Sequence, residues 1–242
     1  MTNSMTKLMT SALVGVFATV MIFGLPEIAV ADDEATLARG GKIYDKWYKI
    51  AGAKAPKASH PLYPAAKKYA KKPKSNWRCK ECHGWDYMGK DGAYASGKHS
   101  TGIKGVNGMA GTPVEKIVAV LKGDHAYAGK MPENDMKAVA LFVSKGQIDM
   151  RKYIDYATKT PKGDKAKGAN YFGTICSGCH GMNGDKPKDM GKTLGKQMSN
   201  PQEVFHKVLN GHPGEPMPGL RALDHQIGAD ILAHIATLPK KR

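Results

Sequence analysis

The sequence lacks a long apolar run after its first 25 residues, and this absence excludes a later membrane-spanning helix. Strand signals are also sparse, which disfavours a β-sheet fold. Acidic residues are few: 21 stand against 37 lysines and arginines, a net charge of +16. Cysteine is scarcer still, with four in 242 residues. All four cysteines fall in two short segments, and those segments decide how the chain is interpreted.

The two cysteine-containing segments share one pattern, two cysteines separated by two residues and followed at once by a histidine. The residues are Cys79, Cys82 and His83 in the first segment, and Cys176, Cys179 and His180 in the second. Cys-x-x-Cys-His is the attachment signature of c-type haem. The thiols lie about one helical turn apart, so each can form a thioether to one porphyrin vinyl group, and the histidine can bind the iron as proximal ligand. Two covalently bound haem c groups are therefore predicted.

Two other chemistries use the same residue types. A zinc site is one, but a histidine directly after the second cysteine, twice over, fits a zinc ribbon poorly. A thioredoxin-like redox pair is the other, and it would need a βαβ context that the sequence does not indicate. Haem attachment is the interpretation that both segments favour.

The N-terminus has the order of a secretory signal peptide. Lys7 precedes the mostly apolar stretch Leu8–Leu25, and Ala29-Val30-Ala31 is a small-x-small cleavage site. Residues 1–31 are accordingly predicted to be removed; an uncleaved membrane anchor is the alternative. Removal takes one basic and one acidic residue, so the net charge stays at +16. Such a charge predicts an acidic redox partner protein or an anionic membrane surface, and not nucleic acid, for an exported protein.

The two halves of the chain repeat the same landmarks in the same order. A glycine followed four residues later by an aromatic residue comes first, then the cysteine motif, then a Pro-x-Glu segment that runs to Leu-x-Gly, and finally a Met-Pro pair. The pairs of landmarks are Gly40 and Gly168, Pro113 and Pro201, and Met131 and Met217. Each half closes on a segment with helical periodicity, Met136–Val143 and Ile227–Leu238. The repeat predicts a duplicated, helical unit.

Each half resembles a class I cytochrome c domain, and the whole resembles the tandem dihaem cytochromes c of bacterial periplasms. The resemblance implies an all-α fold in which two tandem domains each wrap around one covalent haem, in a periplasmic protein. The expected N-terminal domain covers residues 32–145, with an insertion at about 51–75. A linker at 146–167 and a C-terminal domain at 168–242 follow.

The first half departs from this pattern in two ways. Its opening segment and its cysteine motif are separated by the Lys- and Pro-rich insertion, which is either an idle surface excursion or a docking element. The resemblance also implies a proline soon after the proximal histidine, whose carbonyl accepts the ring N–H. Pro187 is the expected acceptor for His180, whereas no proline follows His83 before Pro113.

The sixth iron ligand decides what each haem does. For the second haem we predict Met217, which lies in a Gly- and Pro-rich loop ahead of the closing helix; Met182, Met190 and Met198 are its rivals. For the first haem we predict Met131, the repeat partner of Met217. Its rivals are Met88, Met109, Met136, His99 and His125, of which His125 is the strongest. Coordination by one histidine and one methionine fills the fifth and sixth positions of each iron, which suits electron transfer and not substrate binding.

The predicted function is relay of single electrons between respiratory redox partners, by a carrier that is not itself an enzyme. A haem-bearing subunit of a larger dehydrogenase complex is the first alternative, because it would share every feature described above. A dihaem enzyme such as a peroxidase or a thiosulfate dehydrogenase is the second. Such enzymes need an open or unusual distal site, and no extra cysteine is present to form one.

Overall fold

The computed structural model describes the backbone of residues 27–242 and the side chains from residue 33 onward. The predicted signal peptide, residues 1–31, lies outside the residues whose side chains are described. Helices predominate, as expected. No helix in the described part of the chain is long and apolar enough to cross a membrane.

The first half contains five α-helices and one 3₁₀ turn between the third and fourth. They are α1 (Glu27–Ile50), α2 (Pro73–Asn76), α3 (Cys79–His83), the 3₁₀ turn Asn107–Met109, α4 (Val114–Lys122) and α5 (Glu133–Lys145). The backbone of α1 leaves helical geometry at Lys46, where φ is −157° and ψ is 76°. The first cysteine motif coincides with α3, so its two thiols lie on one turn of a short helix.

The second half repeats this order after a short hairpin. Its elements are the 3₁₀ turn Met150–Lys152, strands β1 (Ile154–Asp155) and β2 (Thr160–Pro161), α6 (Lys165–Tyr171), a π-helical turn (Phe172–Cys176), α7 (Ser177–His180), the 3₁₀ turn Lys188–Met190, α8 (Leu194–Gln197), α9 (Pro201–Asn210) and α10 (His225–Ile235). The second cysteine motif thus runs through the end of the π-helical turn and α7.

The hairpin is a departure from an all-helical chain, and it lies inside the predicted linker. β1 and β2 pair antiparallel, with Ile154 opposite Pro161. The carboxylate of Asp155 accepts hydrogen bonds from the backbone N–H and the hydroxyl of Thr158, at 2.8 and 2.9 Å, and these close the turn. Two residues per strand are too few to give a periodic signal, so pattern analysis of the sequence does not detect them.

Each half packs its opening helix against its closing helix, α1 on α5 and α6 on α10. The conserved spacing of the repeat is explained by two close approaches. A Cβ on Gly40 would lie 2.3 Å from the carbonyl oxygen of Ala138 in α5. A Cβ on Gly168 would lie 1.9 Å from the carbonyl oxygen of Asp230 in α10. Any side chain at either position would force the helices apart.

The buried residues of both halves form one continuous hydrophobic cluster. Its junction is the contact of α1 with α9, where Tyr44 and Phe142 pack around the ring of His206. Arg221 of the second half is buried and donates to the carbonyl oxygen of Gly146 at 2.8 Å. The two repeated units therefore share a core, and the sequence repeat alone did not indicate this.

Candidate haem-attachment sites

The first cysteine motif lies on α3, with Cys79 and Cys82 one turn apart and both partly accessible. Burial of the sulfur atoms raises the pKa of each thiol to about 12. Both are therefore neutral thiols at physiological pH, which is the form that adds across a vinyl group in thioether formation. The hydroxyl of Tyr127 lies beside the Cys79 sulfur and donates to the carbonyl of Trp77 at 3.1 Å.

The proximal position of the first motif is occupied by an oriented imidazole. Nδ1 of His83 is 2.7 Å from the carbonyl oxygen of Lys104, which accepts its hydrogen. This bond places the proton on Nδ1 and leaves the Nε2 lone pair available to a metal. Lys104 is held there because it forms an isolated antiparallel bridge with Gly89, six residues after the histidine. In the first half, the hydrogen-bond acceptor for the histidine ring is thus the carbonyl of Lys104 and not a carbonyl of a proline.

The second motif has the same arrangement with a different acceptor. Nδ1 of His180 is 3.1 Å from the carbonyl oxygen of Lys186. The expectation that Pro187 supplies the acceptor is wrong by one residue: the carbonyl that faces the ring belongs to the residue before the proline. Burial raises the pKa of Cys176 to about 11, while Cys179 is exposed.

Each proximal histidine is followed by a glycine that reverses the chain. Gly84 has a φ of 78° and Gly181 a φ of 69°, in the region that residues with a side chain rarely adopt. The turn after Gly84 is fixed by Tyr44 of α1, whose hydroxyl donates to the Gly84 carbonyl at 2.7 Å. The Gly-x-x-x-Tyr landmark of the first half therefore contacts the residue directly after His83, the predicted proximal ligand.

The two residues between the first pair of cysteines form a buried ion pair that the sequence pattern did not predict. Nζ of Lys80 is 2.7 Å from Glu81, and Glu81 also contacts His99 at 2.8 Å. Burial would raise the pKa of Glu81, but its hydrogen bond to His99 and the charge of Lys80 outweigh burial and lower it. The rings of Tyr69 and Tyr94 both stack on the ring of His99, with centres 5.1 and 4.9 Å away.

The candidate sixth ligands of the first half differ in burial and in distance from His83. Nδ1 of His99 is hydrogen-bonded to Glu81, and its ring stacks on the rings of Tyr69 and Tyr94 and not beside that of His83. Met131 is buried, with 3% of its surface exposed, and belongs to the hydrophobic core. The ring of His125 lies 6.1 Å from that of His83, measured between ring centres. Met131 remains a prediction, and His125 is the rival that the fold brings next to the proximal ligand.

Candidate ligands of the second half are also distinguished by burial. Met217 is half-buried on the loop between α9 and α10, as predicted, while Met182 is 66% exposed and Met198 is buried in the core. The loop of Met217 packs against α1, because its Gly214 faces the side chain of Lys49. Met217 makes no hydrogen bond or ring contact with His180 in the described part of the chain, so this ligand too remains a prediction.

The residues of both motifs fit a covalent haem. Two thiols lie one helical turn apart, and an imidazole presents a free Nε2 because a backbone carbonyl holds its Nδ1. His125 adds an orphaned polar atom near the first motif: its Nδ1 is buried without a hydrogen-bond partner.

Residues 163–236 match the family model described as cytochrome C oxidase, cbb3-type, subunit III. No curated protein matches the chain. The second half contains a c-type cytochrome domain. This match implies covalently bound haem c and a role in electron transfer. The matched segment includes α6, α7, α9 and α10, and so contains the second cysteine motif and Met217.

Proposed function

We propose that the protein is a periplasmic dihaem c-type cytochrome that relays single electrons between respiratory redox partners. The observation that carries the proposal is the shared geometry of the motifs: each histidine directs Nδ1 to a backbone carbonyl, at 2.7 Å for His83 and 3.1 Å for His180. Matching geometry at the first motif supports a second haem in the half that the cytochrome family model does not cover. Cys79 and Cys82 would hold one haem, and Cys176 and Cys179 the other.

The chain's own residues would perform three tasks for the haems. The cysteines anchor them, and the carbonyls of Lys104 and Lys186 orient the proximal imidazoles and increase their basicity. The buried aromatic residues around Tyr44 and Phe142 exclude water between the halves. A haem so held would supply the one-electron chemistry, and six-coordinate iron would leave no position for a substrate.

Mass spectrometry of the exported protein tests the haem count. We expect a chain that begins at Asp32 and carries two haems that resist acid–acetone extraction. A single haem, or haem released by extraction, would contradict the dihaem proposal. Reduction by a one-electron donor, followed in the α-band region, should then show both haems cycling, without turnover of peroxide or thiosulfate.

The printed name of the matched family favours a second candidate, in which the protein is the electron-transfer subunit of a larger oxidoreductase complex. Its surplus of positive charge is compatible with a permanent acidic partner as well as a transient one. Affinity purification from the native periplasm at low salt distinguishes the two. A stoichiometric partner that survives 0.5 M salt identifies a subunit, and a protein recovered alone identifies a free carrier.

A further inference from the structure

Three histidine rings gather beside the first cysteine motif. The ring of His83 lies 6.1 Å from that of His125, with an angle of 29° between their planes. The ring of His60, from the insertion, lies 6.1 Å from His125 on another side and 4.4 Å from Trp77. The second motif has no such cluster: among residues 33–242, no histidine ring stands at a comparable distance from His180. The two halves therefore differ where their sixth ligands are expected.

The spacing between the rings of His83 and His125 fits two imidazoles on one metal. A metal–imidazole bond is about 2 Å long, so two rings on opposite sides of one ion have centres about 6 Å apart. The observed 6.1 Å agrees with this value.

The backbone holds His125 firmly in this place. Its N–H donates to the carbonyl of Val120 at 3.2 Å, and Tyr127 donates to the carbonyl of Leu121 at 3.0 Å. Between them, Ala126 adopts a φ of 54°, a left-handed conformation that is strained for a residue with a side chain. Strain of this kind persists where the surrounding structure requires a particular side-chain direction.

Nδ1 of His125 is buried and lacks a hydrogen bond within the described part of the chain. A buried imidazole nitrogen without a hydrogen-bond partner is unfavourable, so hydrogen bonding of Nδ1 does not explain the position of this ring. By contrast, His99 is bonded to Glu81, and Nδ1 of His60 accepts the N–H of Leu62 at 3.2 Å.

Met131 has the environment of an ordinary core residue. Only 3% of its surface is exposed, and it is part of the continuous hydrophobic cluster. His83 and His125 are both more accessible than Met131. Residues that line a cofactor site are accessible in this way when the protein is considered without its cofactor. Met217, its repeat partner, is half-buried on a polar loop and is not in that cluster.

We infer that His125, and not Met131, is the sixth ligand of the first haem, opposite His83. The inference rests on the proposed function, because it requires a haem on Cys79 and Cys82. The two haems then differ in kind: bis-histidine in the first half, and histidine–methionine in the second. A second imidazole lowers the reduction potential relative to a thioether, so the first haem is the stronger reductant. Electrons therefore pass from the first haem to the second.

Spectroscopy of three variants of the exported holoprotein tests the assignment. Ferric iron bound to a thioether has a weak band at the red edge of the visible spectrum. Met131→Leu, which keeps the core volume, should leave that band unchanged, and Met217→Leu should abolish it. His125→Ala should convert the first haem from low spin to high spin, so half of the low-spin signal should be lost. Added imidazole should restore the low-spin signal, which a merely structural role of His125 would not produce.

His60→Gln is the matched control, because His60 is a neighbouring buried imidazole in the same cluster. It should leave both spectra unchanged. Loss of half the thioether band in Met131→Leu, or an unchanged spectrum in His125→Ala, would overturn the assignment. So would conversion to high spin in His60→Gln. Mass analysis of the peptide that contains Cys79 and Cys82 tests the proposed function separately. If that peptide carries no haem, the proposed function itself is wrong.

Discussion

The hydroxyl of Tyr87 and Nδ1 of His206 are 2.9 Å apart, and this hydrogen bond joins the two halves of the molecule. Tyr87 follows the first proximal histidine by four residues, and His206 is on α9 of the second half. Nε2 of the same ring is 2.9 Å from the carbonyl of Gly41 in α1. Both ring nitrogens of one fully buried imidazole are therefore bonded to the other half.

The first prediction concerns pH. Burial lowers the pKa of His206 to about 4, from 6.5 in an unfolded chain. The imidazole of His206 is therefore protonated at a lower pH in the folded state than in the unfolded state. His206 should contribute no pH dependence above pH 6.5, and should by itself lower the free energy of unfolding by about 3 kcal/mol as the pH drops towards 4. Urea unfolding between pH 4.5 and 7.5 measures this slope.

Two variants isolate the contribution of His206 to that slope. His206→Gln removes one titrating group, so it should reduce the loss of stability between pH 6.5 and 4 by about 3 kcal/mol, even if the protein is less stable throughout. Tyr87→Phe removes one hydrogen bond, costs about 1 kcal/mol, and should keep the slope. An identical slope in wild type and His206→Gln would show that other groups govern the acid sensitivity.

The second prediction concerns the helix crossings. Gly40→Ala and Gly168→Ala place a methyl group against the backbone of α5 and α10, so each should destabilise the protein by about 1–3 kcal/mol or more. Gly108→Ala is the control, because no atom lies within 4 Å of a Cβ at that position. Thermal unfolding measures all three. Equal stability of Gly40→Ala and Gly108→Ala would contradict the close approach of α1 and α5.

The third prediction concerns the independence of the two attachment sites. Replacing Cys79 and Cys82 by serine should leave a protein with one haem, on the second motif. Replacing Cys176 and Cys179 should leave one haem on the first. Peptide mass analysis reports which cysteines carry haem in each case. A wild-type haem content in either double variant would mean that the altered motif holds none.

The fourth prediction concerns the insertion at 51–75. Its four clustered lysines are exposed, so they are available to an acidic partner: Lys67, Lys68, Lys71 and Lys72. Changing all four to glutamine should slow electron transfer to that partner by about tenfold at low ionic strength, and should reduce its salt dependence. Spectra of both haems should stay unchanged.

A set of four exposed lysines elsewhere gives the matched control, with the same loss of charge: Lys116, Lys137, Lys145 and Lys152. If both quadruple variants slow transfer equally, net charge and not a docking site governs the rate. Deleting the whole insertion is a poor test, because it carries buried residues. His60 packs on Trp77, and Asn76 bonds the backbone of the insertion at His60, Tyr69 and Ala70.

Local features of both motifs could be predicted from the sequence, because their chemistry depends on residues that are close along the chain. Two thiols and a histidine within five residues lie on one helical turn whatever the rest of the fold does. Helices α4, α5, α9 and α10 were likewise predictable, since periodicity is a local signal. The family match to residues 163–236 supports this part for the second half.

Tertiary structure alone decided which groups meet across long separations. The carbonyl of Lys104 reaches His83, the ring of His125 comes next to it, and Tyr87 bonds His206, and no spacing rule predicts any of these contacts. The repeat favours Met131 because it preserves order along the chain, but order does not determine how close a side chain comes to His83. Burial and approach distance are properties of packing, and packing depends on every element at once.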